Sequence, residues 1–144
     1  DVKSGYVGIT NNNKNIQKFI NEWFDSWGLH HNYESHTNQI GGTSSTIRGY
    51  STIVAKFLDA IVGHGAENKY VPDFAYAAPN EFIIGLLNGY ISGDGTITEN
   101  AIQVGSASSK LIDGISMLCT RLGIFGKLSI IYELFDNNCK YFKL

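Results

Sequence analysis

Residues 6–29 and 101–124 are two versions of one pattern, related by an offset of 95 positions. Val7 aligns with Ile102 and Ile9 with Val104. Ile16 aligns with Leu111, Ile20 with Ile115, Trp23 with Leu118 and Trp27 with Leu122, and then Gly28 meets Gly123 and Leu29 meets Ile124. The short alternating run in each copy is a strand with one buried face. The Asn or Ser cluster after it is a turn and helix N-cap. The apolar stripe at helical spacing is an amphipathic helix, which the glycine ends in a left-handed conformation. Trp23 and Trp27 lie on that stripe and are assigned to the core rather than to a base-stacking platform. Strand-like runs follow in both copies, around 30–37 and 45–51 in the first and around 126–133 and 139–144 in the second. In the first copy a further helix, around 52–62, carries Ile53, Phe57, Leu58 and Ile61 at helical spacing. Chance similarity of two amphipathic helices is the competing account; the matching strands, caps and glycines weigh against it.

The chain has 144 residues, 43% of them hydrophobic and 17% charged, which supports a real core and excludes a disordered tail. No apolar stretch approaches a membrane span. The N-terminus carries no basic-then-apolar signal pattern, so the expected location is intracellular. Cys119 and Cys139 are too few for a disulfide scaffold, and Cys119 reads as a buried thiol. The four histidines form no zinc spacing with them, and the His30-His31 pair reads as exposed strand or turn. A net charge of −2 argues against a polybasic nucleic-acid binder, but it permits charge segregated on one face.

Between the copies lies Asn80-Glu-Phe-Ile-Ile-Gly85-Leu-Leu-Asn-Gly89-Tyr-Ile-Ser-Gly93-Asp94-Gly95. It reads as a helix capped by Asn80 and running to about Ser92. Gly85, Gly89 and Gly93 lie four apart and form one stripe. Each costs roughly 1 kcal/mol against Ala in a helix interior, and the usual compensation is the close approach of another helix backbone. The helix ends at an Asp-Gly step, which puts Asp94 at the bottom of a helix–helix seam, close to the sheet.

Leu87-Asn-Gly-Tyr-Ile-Ser-Gly-Asp-Gly95 resembles the LAGLIDADG motif in the form found in inteins. Lys69-Tyr-Val-Pro resembles the Lys-x-Ile-Pro element that precedes the second such motif, and Ser109 to Ile124 resembles the helix that follows it. The resemblance covers essentially the whole chain. It implies an α+β fold, the LAGLIDADG homing-endonuclease fold, with two pseudo-two-fold αββαββα units. Their motif helices pack through small residues, and their antiparallel sheets form a saddle on double-stranded DNA. It also implies a carboxylate at the end of each motif helix binding Mg²⁺ near the scissile phosphates, which suits a cation that prefers hard oxygen ligands. On this resemblance Asp94 is a catalytic metal ligand, the Gly93 carbonyl is a second ligand, and Lys69 is the catalytic basic residue near the attacking water or the phosphate charge. Ser92 departs from the acidic residue often found there, which is not the metal ligand.

The repeat offset puts the first copy's Asp just before residue 1, with Asp1 aligned to Thr96, and the second copy's Lys beyond Leu144. The expectation is therefore a fold truncated at both ends. Residues 1–79 would form a first subdomain without its motif helix, and 80–144 the motif helix and start of the second. Other segments, in another polypeptide or in flanking sequence, would supply the missing motif helix. Splicing residues are also absent, since the first residue is Asp and the last is Leu.

Candidate DNA contacts on the predicted strands are Arg48, Lys127, Lys140 and Lys143, expected at phosphates, and Tyr6, Tyr50, Gln103 and Tyr132, which alternate with apolar positions and are expected to face the groove, although a strand phase is easily misread by one residue. Asp94 is alternatively a plain Asp-Gly turn residue, and Lys69 a solvated lysine. Three functions stay open: a metal-dependent DNA endonuclease embedded in an intein and inactive as this chain alone; a degenerate LAGLIDADG domain that binds nucleic acid without cutting; and an insertion with a structural role in a split or cleaved intein.

Overall fold

The computed structural model describes residues 2–37, 41–127, 129–132 and 140–143, the last two stretches as backbone only. The chain divides into two compact units, Asp1–Ala60 and Ile61–Leu144.

The first unit runs β1 (Tyr6–Thr10), α1 (Lys14–Ser26), β2 (His31–Thr37), β3 (Thr43–Tyr50) and α2, whose span Thr52–Val62 crosses the unit boundary. Its antiparallel sheet has the order β1-β3-β2. Ile20, Phe24 and Ile47 are its buried apolar centre, with Val7, Ile9, Ile16, Trp23 and Leu29 packed around them. The Asn13 side chain caps α1 by accepting from the Asn15 and Ile16 amides. At the other end Gly28 has φ 64°, and the Leu29 amide donates to the Phe24 carbonyl at 3.0 Å.

The second unit contains α3 (Asn80–Asp94), β4 (Gly95–Ile97), β5 (Ile102–Ser106), α4 (Ser109–Arg121), β6 (Ser129–Tyr132) and β7 (Lys140–Lys143). Its sheet order is β4-β5-β7-β6, so β5-β7-β6 repeats the connectivity of β1-β3-β2. Helices α1 and α4 both have 13 residues and start at positions separated by the repeat offset. Ser108 caps α4 as Asn13 caps α1. Gly123 has φ 77°, and the Ile124 amide donates to the Cys119 carbonyl at 2.9 Å. Val71, Ala75, Ile83, Leu87, Val104, Ile112, Ile115 and Leu118 form the core, with Cys119 buried at its edge. Burial pushes the Cys119 thiol pKa up, as expected of a thiol in apolar surroundings.

Several expectations are corrected. The unit boundary falls after Ala60 rather than after residue 79, because Val71 and Ala75 pack into the second core. Trp27 is 53% exposed, since Phe24 takes the place under the sheet and the Trp27 ring lies tilted against Trp23, with 5.6 Å between centroids. On α2 the buried residues are Val54 and Ala55, while Ile53 and Phe57 are exposed, so the covered face is turned from the apolar stripe. The residue before α3 is Pro79, whose carbonyl accepts from the Phe82 and Ile83 amides; Asn80 is already helical and makes no cap. The helix continues to Asp94 itself. His31 is not fully exposed, because its ring lies 5.8 Å from Phe24 on the core side.

Gly49 on β3 faces the Phe24 ring, and a Cβ there would collide with it. Gly49→Ala is expected to destabilise the protein by about 1–3 kcal/mol through overpacking. A urea midpoint unchanged from the natural protein would show that the ring has room to move.

Candidate active site and nucleic-acid interface

Asp94 is the last residue of α3, and no linker separates it from β4. Gly95 makes this possible. Its amide donates to the Ile91 carbonyl, and a Cβ at Gly95 would meet the Ile91 main chain, with the Ile91 Cα at 2.9 Å. Position 95 therefore accepts no side chain, and the helix passes directly into the strand. Asp94 is exposed, as are Ser92 and Gly93. The Gly93 carbonyl lies in the last turn, where helix geometry leaves it without an intrahelical donor. One turn back, the Tyr90 hydroxyl donates to the Gly105 carbonyl on β5 at 3.0 Å, fastening the end of the helix to the sheet. Burial raises the Tyr90 pKa, the Asp94 charge raises it further, and a hydrogen bond with Ser106 opposes both. The Asp94 carboxylate is therefore near this phenol.

A Cβ placed on Gly85, Gly89 or Gly93 would meet nothing within 4 Å. The glycine stripe is an open face, while the opposite side of α3 buries Ile83 and Leu87.

Lys69 is exposed, and its backbone is fixed. The Ser108 hydroxyl donates to the Lys69 carbonyl at 2.6 Å while accepting from the Leu111 amide at 3.3 Å. The segment beyond Lys69 then follows α4. Val71 and Tyr76 approach Gly114, where a Cβ would come within 2.6 Å of the Tyr76 hydroxyl. Arg121 donates to the Tyr76 and Ala78 carbonyls at 2.6 and 3.1 Å. The sequence contained Ser108 and Gly114 as a cap and a helical glycine; their contacts span tens of residues, which no local pattern reports. Among the described residues no hydrogen bond or ion pair joins Lys69 to Asp94. No group of three or more His, Cys, Asp or Glu is placed to hold a metal ion among them. An apolar cavity of about 480 Å³, lined by Leu87, Ile102, Ile115 and Leu122 among others, includes neither Asp94 nor Lys69.

The first unit's sheet has one covered and one open face. Strand alternation and the register put Ser45, Ile47 and Gly49 toward α1. Tyr6, Thr10, Thr46, Arg48, Tyr50, Asn32, Glu34 and His36 fall on the other face. Arg48 and Tyr50 thus alternate with the buried Ile47 and Gly49 along β3. Arg48 is paired with Glu34 at 2.6 Å and lies over the Tyr6 ring at 4.6 Å. Tyr50 stacks with His30 at 5.9 Å. In the second unit Gln103 pairs with Thr96 and alternates with the buried Val104. Lys127 is exposed in the connection before β6 and not on a strand. Tyr132 pairs with Lys140, and Lys143 with Gly105 and Ser129; their side chains lie outside the described residues.

An antiparallel α+β fold of this kind, with a glycine-faced helix ending in a carboxylate, is that of the LAGLIDADG homing endonucleases. Residues 81–141 match the model of the LAGLIDADG-like domain. The chain superposes on a mesophilic variant of the homing endonuclease I-DmoI with a TM-score of 0.64 and 12% identity, covering 96% of this chain and 72% of that one. I-DmoI in complex with DNA and Ca matches with a TM-score of 0.62 and 13% identity, over 96% of this chain and 66% of that one. In sequence, the chain is 37% identical over 123 residues to the DNA-directed RNA polymerase subunit Rpo1C of Methanocaldococcus jannaschii, covering 83% of this chain and 14% of that protein. A probable translation initiation factor IF-2 from the same organism is 33% identical over 82 residues, 55% of this chain and 7% of that protein. The chain thus spans a small fraction of the curated relatives it matches. No helix among the described residues is long and apolar enough to cross a membrane.

Two measurements check this geometry. Ser108→Ala removes both the cap and the tether to Lys69, and is expected to cost about 1–2 kcal/mol in denaturant unfolding; an unchanged midpoint would mean water replaces both bonds at no cost. Asp94→Asn should lower the pKa of one phenol in an ultraviolet tyrosinate titration, and Tyr90→Phe should delete that component. Identical curves for Asp94→Asn and the natural protein would place the carboxylate away from Tyr90.

Proposed function

We propose that this chain is the DNA-recognition and cleavage region of a divalent-metal-dependent homing endonuclease carried within an intein. The observation that carries it is Asp94, exposed at the end of α3 beside an open glycine face, in a fold shared with an endonuclease whose structures contain target DNA and Mn, Ca or Mg. The intein setting rests on the relatives. An RNA polymerase subunit and a translation factor share this segment, yet it makes up only 14% and 7% of them. A module common to proteins of such different function is most simply an insertion, and both hosts point to an intracellular setting.

Asp94 and the Gly93 carbonyl fit part of a Mg²⁺ site. Mg²⁺ commonly takes one or two carboxylates and completes its shell with water and substrate phosphate. Asp94 and the Gly93 carbonyl would hold the ion, and a second carboxylate would come from a partner helix. When bound, the ion would activate water and stabilise the leaving oxygen. Lys69 contributes positive charge at the phosphate. Gly85, Gly89 and Gly93 let the partner's backbone approach, which offsets their helix-propensity cost. The open sheet faces carry the DNA contacts, with Arg48, Tyr50 and Gln103 among them.

The test uses the full natural polypeptide and a plasmid bearing its host gene without the inserted segment. Cutting should require Mg²⁺ or Mn²⁺ and stop with chelator. Asp94→Asn should lower the rate by at least about a hundredfold, since even groups supporting a metal ligand cost up to that much. Lys69→Ala should lower it by about a hundredfold. Binding without cutting would favour a degenerate LAGLIDADG domain instead. Absence of both would leave the structural role.

A further inference from the structure

The open face of the first sheet carries one permanent positive charge among its described strand positions, that of Arg48 on the central strand β3. Two contacts fix the side chain. Its Nη1 donates to Glu34 Oε1 at 2.6 Å. Its guanidinium lies over the Tyr6 ring at 4.6 Å. Its Nε is buried and has no hydrogen-bond partner among the described residues. Glu34 is held in turn, with Oε2 at 3.3 Å from His36 Nε2.

This arrangement is poor for phosphate and good for a base. An arginine already neutralised by a carboxylate releases few counterions, and phosphate contacts carry no sequence information. What remains is direction. With Nε buried and one Nη1 proton on Glu34, three N–H donors remain free, among them one on each terminal nitrogen, which together form the end of the fork. Guanine offers the matching pair of acceptors, O6 and N7, in the major groove.

Resting on the proposed DNA function, we propose that Arg48 is a specificity-determining residue that reads one guanine in the major groove, and that Glu34 is the positioning residue that aims it. The sequence offered Arg48 as a strand residue at a phosphate, a role that its pairing with Glu34 argues against. Glu34 enters through the register that sets β2 beside β3.

The experiment is selection from a randomised duplex library by the full natural polypeptide, with binding then measured at several salt concentrations. The natural protein should enrich a motif with a fixed guanine. Arg48→Lys keeps the charge but not the fork, and should lose about ten- to a hundredfold in preference at that guanine alone. Glu34→Gln should relax the same position while tightening binding to unrelated duplexes, because a negative charge leaves the face. A merely structural Glu34 would weaken both kinds of binding. Uniform weakening by Arg48→Lys across all sequences, or an Arg48→Ala variant whose only change is a salt slope smaller by about one, would make Arg48 a phosphate contact and overturn the proposal. Failure of the natural protein to bind any duplex would instead remove the DNA function, and this proposal with it.

Discussion

The first sheet is covered by a single helix, α1, and a single helix can cover only one face. That constraint governs the structure. In the first unit α1 presses Ile20 and Phe24 onto Ile47, close enough that position 49 must be glycine. In the second, α4 packs Ile112, Ile115 and Leu118 in the core that also buries Val104. The other face of the first sheet gains nothing from burial and is free to carry polar side chains. Antiparallel sheets tolerate this division, with alternate residues inward and outward.

The covering helices repeat because their ends repeat. Asn13 and Ser108 stop the chain from extending as strand, and Gly28 and Gly123 turn it out of the helix. These are local effects written in one or two residues, which is why the helices, the succession of strands and helices along the chain and the 95-residue offset were legible in the sequence. Contacts across long separations were not. Periodicity put Trp27 in the core, but the stripe is wide enough for Phe24 to take that place. Asn80 looked like a cap because its chemistry suits one, yet Pro79 already supplies the turn. Residues 61–79 group with the first subdomain in sequence because they precede the motif helix; the fold instead packs Val71 and Ala75 into the second core.

The candidate site divides in the same way. Asp94 and the glycine face could be read because a helix places residues four apart on one side. The fixing of Lys69 by Ser108, the fastening of Tyr90 to Gly105 and the pairing of Arg48 with Glu34 each join elements that the sequence leaves unordered in space. They also share a character. Each holds a polar group still before any partner arrives, which lowers the ordering entropy lost on binding.

The direct passage of α3 into β4 has a mechanical consequence. Helix and strand meet at Gly95, which leaves no slack for a hinge, and Tyr90 pins the same corner to β5. The carboxylate and the neighbouring strand pair therefore move as one lever. The distance between the carboxylate and the strand pair β4–β5 is thereby set by a backbone junction, so altering it would require re-engineering the main chain at Gly95, whereas the side chains on those strands can change without touching it.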